Sequence, residues 1–301
     1  MKHQKKVGTL ILVILIISVS VYLLTIKASE ESKIIAYAIK DLNKTENQND
    51  LQYHLNTRFE KSLLLYRINP TCQDRQKQRI KKAFNILSNK TILKFYESSR
   101  NEDIYITCNK SIQENIKEFI KVGEGRHSLT NTGEFHLIKK GEVSLYKNQH
   151  KCKFPNVEVH EILHVLGFKH STNKQNMMYN VSHCDQEINP EIITKINELY
   201  NLKPLPDLTF KNFNSSKETN YLKFDSEILN KGLKISGNII LEAHSKNKKI
   251  KSWEIGKLEP GKIKKITLKN FFIGDINKLK LILTTSEQEI DKTNNLKEIL
   301  L

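Results

Sequence analysis

Residues 160–171 read HEILHVLGFKHS, and the fold and chemistry of the chain turn on this stretch. His160 and His164 are four residues apart, so on a helix they project from one face, one turn apart, and can grip a single metal ion. Asn156, just after Pro155, is placed to cap the start of that helix. Gly167 falls where the helix has to stop, because a residue without a Cβ can take the left-handed turn that reverses the chain. The reversal brings His170 round as a third nitrogen ligand. Three protein ligands leave one tetrahedral position open, which is the arrangement of a catalytic zinc site rather than a structural one. Zinc lowers the pKa of a water in that position towards ~7, and Glu161, beside the first ligand, is placed to take its proton and pass it to a leaving amine. The five fixed positions of HExxHxxGxxH should coincide by accident in roughly one chain in ten thousand of this length.

Working outward, NMMY follows at 176–179, with Met178 eight residues after His170. At this point HEILHVLGFKHS resembles the zinc signature of the metzincin peptidases, and Ser171 together with the spacing to Met178 is matrixin-like. The resemblance implies that Met178 forms the Met-turn, a hydrophobic floor beneath the three histidines. Tyr179 follows the methionine directly and does not have the spacing of a zinc-binding tyrosine, so it is not read as a ligand. The similarity runs from about Leu63 to Leu202. It implies an extended substrate paired to an edge strand within residues 134–146, by addition of a strand to the sheet. Calcium loops, a second zinc site and a cysteine switch are not visible, so one zinc ion is expected.

The pattern around the motif supports a folded domain over 62–203. LLLYRI (63–68), ILKFYES (92–98), DIYIT (103–107) and EFHLIKKGEVSLY (134–146) read as strands or a hairpin. QDRQKQRIKKAFNILS (73–88) has helical spacing, and PEIITKINELY closes the domain as a helix over about 189–201. Pro204 and Pro206 mark a linker. Beyond it LTFKNF, YLKFDSEIL, NIILEAH, KSWEIGKL, KKITL and LKLILTTS are short strands with turn signals, which read as a β-sandwich over 206–301. PDLTF, ILNKG, IGKLEPGKIKKITL and DKTNNLKEILL resemble a CARDB domain, an immunoglobulin-like sandwich. That resemblance implies a spacer or binding module, with Trp253 in its core. The expected fold class is therefore α+β: a zincin-like domain with a mixed sheet and an active-site helix, then an all-β immunoglobulin-like sandwich.

Residues 7–26, VGTLILVILIISVSVYLLTI, carry no charge. Twenty helical residues span about 30 Å, enough for a bilayer core. Lys2, Lys5 and Lys6 precede the run, so residues 1–26 read as a cytoplasmic tip and a transmembrane helix that exports the rest. A cleaved signal peptide, giving a secreted protein, is the competing reading. Residues 27–61 are polar and read as a stalk. Cys72, Cys108, Cys152 and Cys184 all lie on the exported side, where an even count suggests two disulfides. Of three possible pairings, the nearest-neighbour set Cys72–Cys108 and Cys152–Cys184 is expected. The net charge of +16 does not point to nucleic acid, because only six of the 49 basic residues are Arg and the Lys are spread along the chain. The sequence thus reads as a membrane-anchored, extracytoplasmic zinc metalloendopeptidase acting on extended peptides. The competing class is a cell-surface binding or adhesion protein with a structural or inactive zinc site.

Overall fold

In a computed structural model, residues 51–108, 115–116, 119–120, 122–146 and 152–301 are described. The expected membrane anchor and most of the expected stalk lie outside these residues. Among the described residues, no helix is long and apolar enough to cross a membrane. The stalk was expected to run to residue 61, but from Leu51 onward the chain is part of the folded domain. Thr57–Phe59 form strand β1, buried throughout. Arg58 is the reason a polar-looking segment can be internal. Its guanidinium donates to the main-chain oxygens of Phe59, Glu60, Leu199 and Leu202 and lies 4.7 Å from the centre of the Tyr200 ring. Four of the five N–H donors are answered by main-chain oxygens, so a buried cation is tolerated.

LLLYRI forms β2 (Leu63–Ile68), which buries alternate residues Leu64, Tyr66 and Ile68. Helix α1 (Asp74–Lys90) follows, with Ile80, Ala83, Phe84 and Leu87 buried on one face. Phe84 stacks on Tyr66 with ring centres 4.0 Å apart. Next come β3 (Lys94–Glu97), β4 (Ile104–Cys108), a minimal pair β5 (Asn115–Ile116) and β6 (Phe119–Ile120), then β7 (Gly123–Asn131) and β8 (His136–Leu145). Helix α2 (Asn156–Val165) carries the motif, and α3 (Pro190–Asn201) closes the domain. Asn189 caps α3 by accepting from the Glu191 amide at 2.8 Å, with Pro190 in the first turn.

The main sheet is mixed, with path β1-β8-β4-β2-β3 and β7 added against β8. All pairings are parallel except β7–β8. β8 pairs with β7 along its length, and with β1 at residues 136–138 and β4 at 141–145. Both of its sides are therefore used, and the stretch expected to be the edge strand lies inside the sheet. The edge is β7, which the sequence reading passed over. GEGRHSLTN has no apolar alternation, because the positions that meet α2 are glycines.

Both expected disulfides are present. Cys72–Cys108 joins the residues before α1 to the end of β4, and Cys152–Cys184 joins the approach to α2 to the loop before α3. A two-pronged ion pair also fixes α2 to α1. Arg79 holds Glu158 through contacts of 2.8 and 3.0 Å and donates to the Cys152 carbonyl at 2.8 Å.

The C-terminal region folds as two sheets. β9 (Leu208–Glu218), β10 (Tyr221–Asn230) and β13 (Ile263–Phe272) form one, in the order β13-β10-β9. β11 (Ile239–Ser245), β12 (Lys248–Gly256), β14 (Lys278–Thr285) and β15 (Leu296–Leu300) form the other, in the order β12-β11-β14-β15. Leu222, Phe224 and Ile228 from the first sheet share a core with Leu241, Ala243, Leu281 and Leu283 from the second. Trp253 packs against this core, edge-on to Phe271.

The stretch expected as a linker is not an open tether. Leu205 and Asp207 are buried, and Lys231 ion-pairs with Glu134 at 2.6 Å and Asp207 at 3.4 Å. Thr132, in the β7–β8 turn, donates to the Lys231 carbonyl at 2.9 Å. The sandwich is thereby fastened to the turn that ends the edge strand. Burial pushes the Asp207 carboxyl up to about 7, with Lys231 and Asn294 opposing. Between its unfolded value near 3.8 and about 7, the folded protein holds a proton that the unfolded chain has released. This contribution is complete below pH 4 and is lost as pH rises through 7. Urea midpoints measured across pH 4–8 should show Asp207→Asn lacking that part of the slope. Parallel profiles for the variant and the parent would contradict the assignment.

Candidate metal centre

The three histidines meet as their spacing predicts. His160 and His164 lie one turn apart on α2, and the helix ends one residue after His164, at Val165. The end is a Schellman stop: Gly167 donates to the His164 carbonyl and Phe168 to the Leu163 carbonyl, both at 3.0 Å. Gly167 has φ +93°, and a Cβ there would lie 2.6 Å from the Thr57 side chain. Glycine is therefore required twice over, by backbone conformation and by space. The expected cap at the other end is different. Asn156 is inside the helix, its side-chain nitrogen donating to the His183 carbonyl at 2.7 Å, and Pro155 takes the capping position.

His170 Nε2 lies 3.3 Å from His160 Nε2 and 3.1 Å from His164 Nε2. About 2.0–2.1 Å to zinc in a tetrahedral site puts nitrogens roughly 3.3–3.4 Å apart, so this spacing suits zinc. The other ring nitrogens of the helical pair are directed at main-chain carbonyls, His160 Nδ1 to Met177 at 2.7 Å and His164 Nδ1 to Phe168 at 2.8 Å. With the proton on Nδ1, each Nε2 offers a lone pair to the centre. Burial brings His160 down to about 4 and His164 to about 3, and it lowers His170 as well. All three are neutral at pH 7, the form a ligand needs. Donor type, tautomer and spacing thus fit a zinc ion.

Met177 and Met178 are buried. Met178 accepts from the Ser171 amide at 2.8 Å, which ties the methionine turn to the segment carrying His170. Glu161 is 6% exposed. The edge strand comes so close to it that a Cβ on Gly123 would lie 2.6 Å from Glu161 Oε1. At Gly125 a Cβ would lie 2.2 Å from the Glu161 main-chain oxygen and 2.8 Å from the His164 Cβ.

Two residues escaped the sequence reading. His127, on β7, has Nδ1 3.0 Å from the His164 carbonyl, and burial lowers its pKa. Tyr53 stacks on the His164 ring, centres 6.1 Å apart and planes at 29°. Its pKa is raised by burial and by the Glu161 charge. No motif announces Tyr53, because it lies over a hundred residues before the helix and reaches it only through the fold.

Comparison with known proteins adds to this geometry. Residues 58–201, which include the histidine cluster, match the family model described as Matrixin. No curated protein gives a significant match. Among solved structures, the chain is similar to high choriolytic enzyme 1, a hatching-enzyme zinc protease from Oryzias latipes (medaka fish). That match has 18% identity and a TM-score of 0.31, covering 47% of this chain and 90% of the enzyme. A CARDB domain from Pyrococcus furiosus, solved with two metal ions, matches with 17% identity and a TM-score of 0.26, covering 31% of this chain and 84% of that domain. Likenesses this slight carry no weight for fold or function.

The glycine contacts lead to a direct test. Gly125→Ala should cost about 1–3 kcal/mol, since its methyl overlaps helix backbone that cannot yield without moving His164. Gly133→Ala, at φ +106° with open space around it, should cost only about 1 kcal/mol of backbone strain. Equal losses in chemical denaturation would show that the strand and helix are not in tight contact.

Proposed function

We propose that the protein is a zinc metalloendopeptidase in which His160, His164 and His170 hold the ion and Glu161 is the general base. The observation that carries this reading is the convergence of three neutral Nε2 atoms beside a buried carboxylate. Zinc, when bound, supplies a Lewis acid that polarises the scissile carbonyl and makes a nearby water acidic. Glu161 accepts the proton of the attacking water, whose oxygen bonds to the carbonyl carbon. The same proton then goes to the departing nitrogen as the carbon–nitrogen bond breaks. Met178 lies under the histidines as the hydrophobic floor.

The substrate is an extended peptide laid along the outer side of β7, which pairs only with β8 among the described strands. The loop through 180–189 walls the neighbouring pocket. It is held by Cys152–Cys184, by Asn156 on the His183 carbonyl, and by Gln186 donating to the Val181 and Lys174 carbonyls. The sandwich serves as a CARDB-like, immunoglobulin-type spacer or binding module. The apolar run 7–26 anchors the chain with its catalytic domain outside, a placement supported by the two disulfides.

Glu161→Gln in the full-length protein should lower cleavage of unfolded protein by at least about 10³-fold while zinc content stays at one per chain. His164→Ala should lose the zinc itself, and a chelator should stop the parent enzyme. Cleavage that persists in Glu161→Gln would remove the proposed base. Stoichiometric zinc with no cleavage of any member of a broad peptide library would favour the binding-protein reading.

A further inference from the structure

The methionine turn provides no phenol that the sequence marks as a zinc ligand, yet the fold brings a different tyrosine to the centre. Residues 51–53 run antiparallel to 167–169, the segment between the helix stop and His170. Tyr53 donates its amide to the Gly167 carbonyl at 2.9 Å, and Lys169 donates to the Leu51 carbonyl at 3.0 Å. Gln52 locks this strap. It is 1% exposed, and its amide donates to the Thr57 carbonyl at 2.8 Å and the Leu166 carbonyl at 3.3 Å while its oxygen accepts from the Thr57 amide at 3.1 Å. His136 anchors the next turn, with Nδ1 3.0 Å from the Leu55 carbonyl and its ring stacked on His54.

A strap held this firmly can aim a side chain. Tyr53 follows the buried Gln52 and places its ring on that of His164. Tyr53 is 52% exposed, so its ring rests on His164 while much of the residue remains open to solvent. The Glu161 carboxylate is near enough for its charge to act on the phenol. Tyr53 is thus stacked on His164 and within electrostatic reach of Glu161. A structural tyrosine would not need this position, because the strap is already fixed by its main chain and by Gln52.

We propose that Tyr53 is a catalytic residue whose hydroxyl donates a hydrogen bond to the scissile carbonyl oxygen of the substrate peptide and strengthens that bond as negative charge develops there. This role rests on the zinc-peptidase reading given above and adds a donor supplied by the chain itself. A donor aimed at developing charge favours the transition state over the bound substrate, so its loss shows in kcat rather than KM. No covalent step is added: the phenol keeps its proton throughout, and the transferred proton still passes through Glu161.

The test is Tyr53→Phe in the full-length, zinc-loaded protein, which retains the ring on His164 and removes only the oxygen. The expected result is a fall in kcat of about 10²-fold with KM within about twofold and zinc content unchanged. A phosphinic peptide, which imitates the tetrahedral state, should bind more weakly by the same factor as kcat/KM falls. An unchanged kcat, a rise in KM alone, or unaltered phosphinic-peptide affinity would overturn the proposal. Loss of zinc or of folding in Tyr53→Phe would also overturn it, since a hydroxyl held for substrate supports neither. Failure of the parent protein to cleave peptide or bind the phosphinic peptide would instead sink the zinc-peptidase reading, a result that Tyr53→Phe cannot produce.

Discussion

The metal centre depends on one backbone event, the termination of α2 at Gly167. Two imidazoles on a helix define a line along its face, and a third donor has to come from outside that line. A helix continuing past Leu166 would carry His170 onward along the axis, away from the first two ligands. The left-handed residue reverses the chain in one step, and the Schellman bonds satisfy the orphaned carbonyls of Leu163 and His164 at the same time. The stop is also coupled to ligand orientation. Phe168, one residue past the glycine, supplies the carbonyl that holds His164 Nδ1, and Met177 supplies the one that holds His160. Backbone oxygens from two separate turns therefore set the tautomers, which makes the histidines ready ligands without an acidic neighbour behind them.

Around this stop the protein brings main chain close to main chain. Gly123, Gly125 and Gly141 let the sheet approach α2 to distances at which any side chain would collide. The result is an edge strand pressed against the helix that carries Glu161 and His164. The strap 51–53 performs the equivalent task from the other side, pairing with 167–169. Backbone thus flanks the histidine-bearing segment from β7 and from the strap, and Cys152–Cys184 ties the approach to α2 to the loop before α3. Such a site has few soft degrees of freedom, which is what positioning reactants within tenths of an ångström requires.

Legibility in the sequence follows from how local each feature is. The ligands, the base, the helix stop and the methionine turn lie within nineteen positions (160–178), and local geometry relates them, so spacing alone was informative. Helices α1 and α3 had caps and one-sided apolar faces, and the sandwich strands alternated clearly. β7 was not legible, because a strand whose contact face is glycine has no hydrophobic period to detect. Its omission moved the expected edge to β8, whose apolar alternation reflects interior pairing. Arg58 concealed β1 for a related reason: a charged residue in a polar stretch signals solvent, and only the carbonyls of Leu199 and Leu202, some 140 residues further on, make it internal. Tyr53 and His127 belong to the same group. Their meaning comes from long-range pairing, which a single sequence does not encode at any fixed spacing.

The junction with the sandwich extends the same logic beyond the catalytic domain. The edge strand has one free-standing feature, the turn at 131–134 that joins it to β8, and this turn is where the second domain attaches. Glu134 and Thr132 both engage Lys231, while a Cβ on Gly261 would lie 2.6 Å from the Asn131 carbonyl. A hairpin fixed only at its base would be free to twist at its tip, and the twist would be felt along β7 at the cleft. Fastening the tip to a seven-stranded sandwich removes that motion. Glu134, 2.6 Å from Lys231, is the nearer counter-charge, and the buried Asp207 lies 3.4 Å away. The sandwich therefore restrains the histidine-bearing domain mechanically, through the tip of the β7–β8 hairpin.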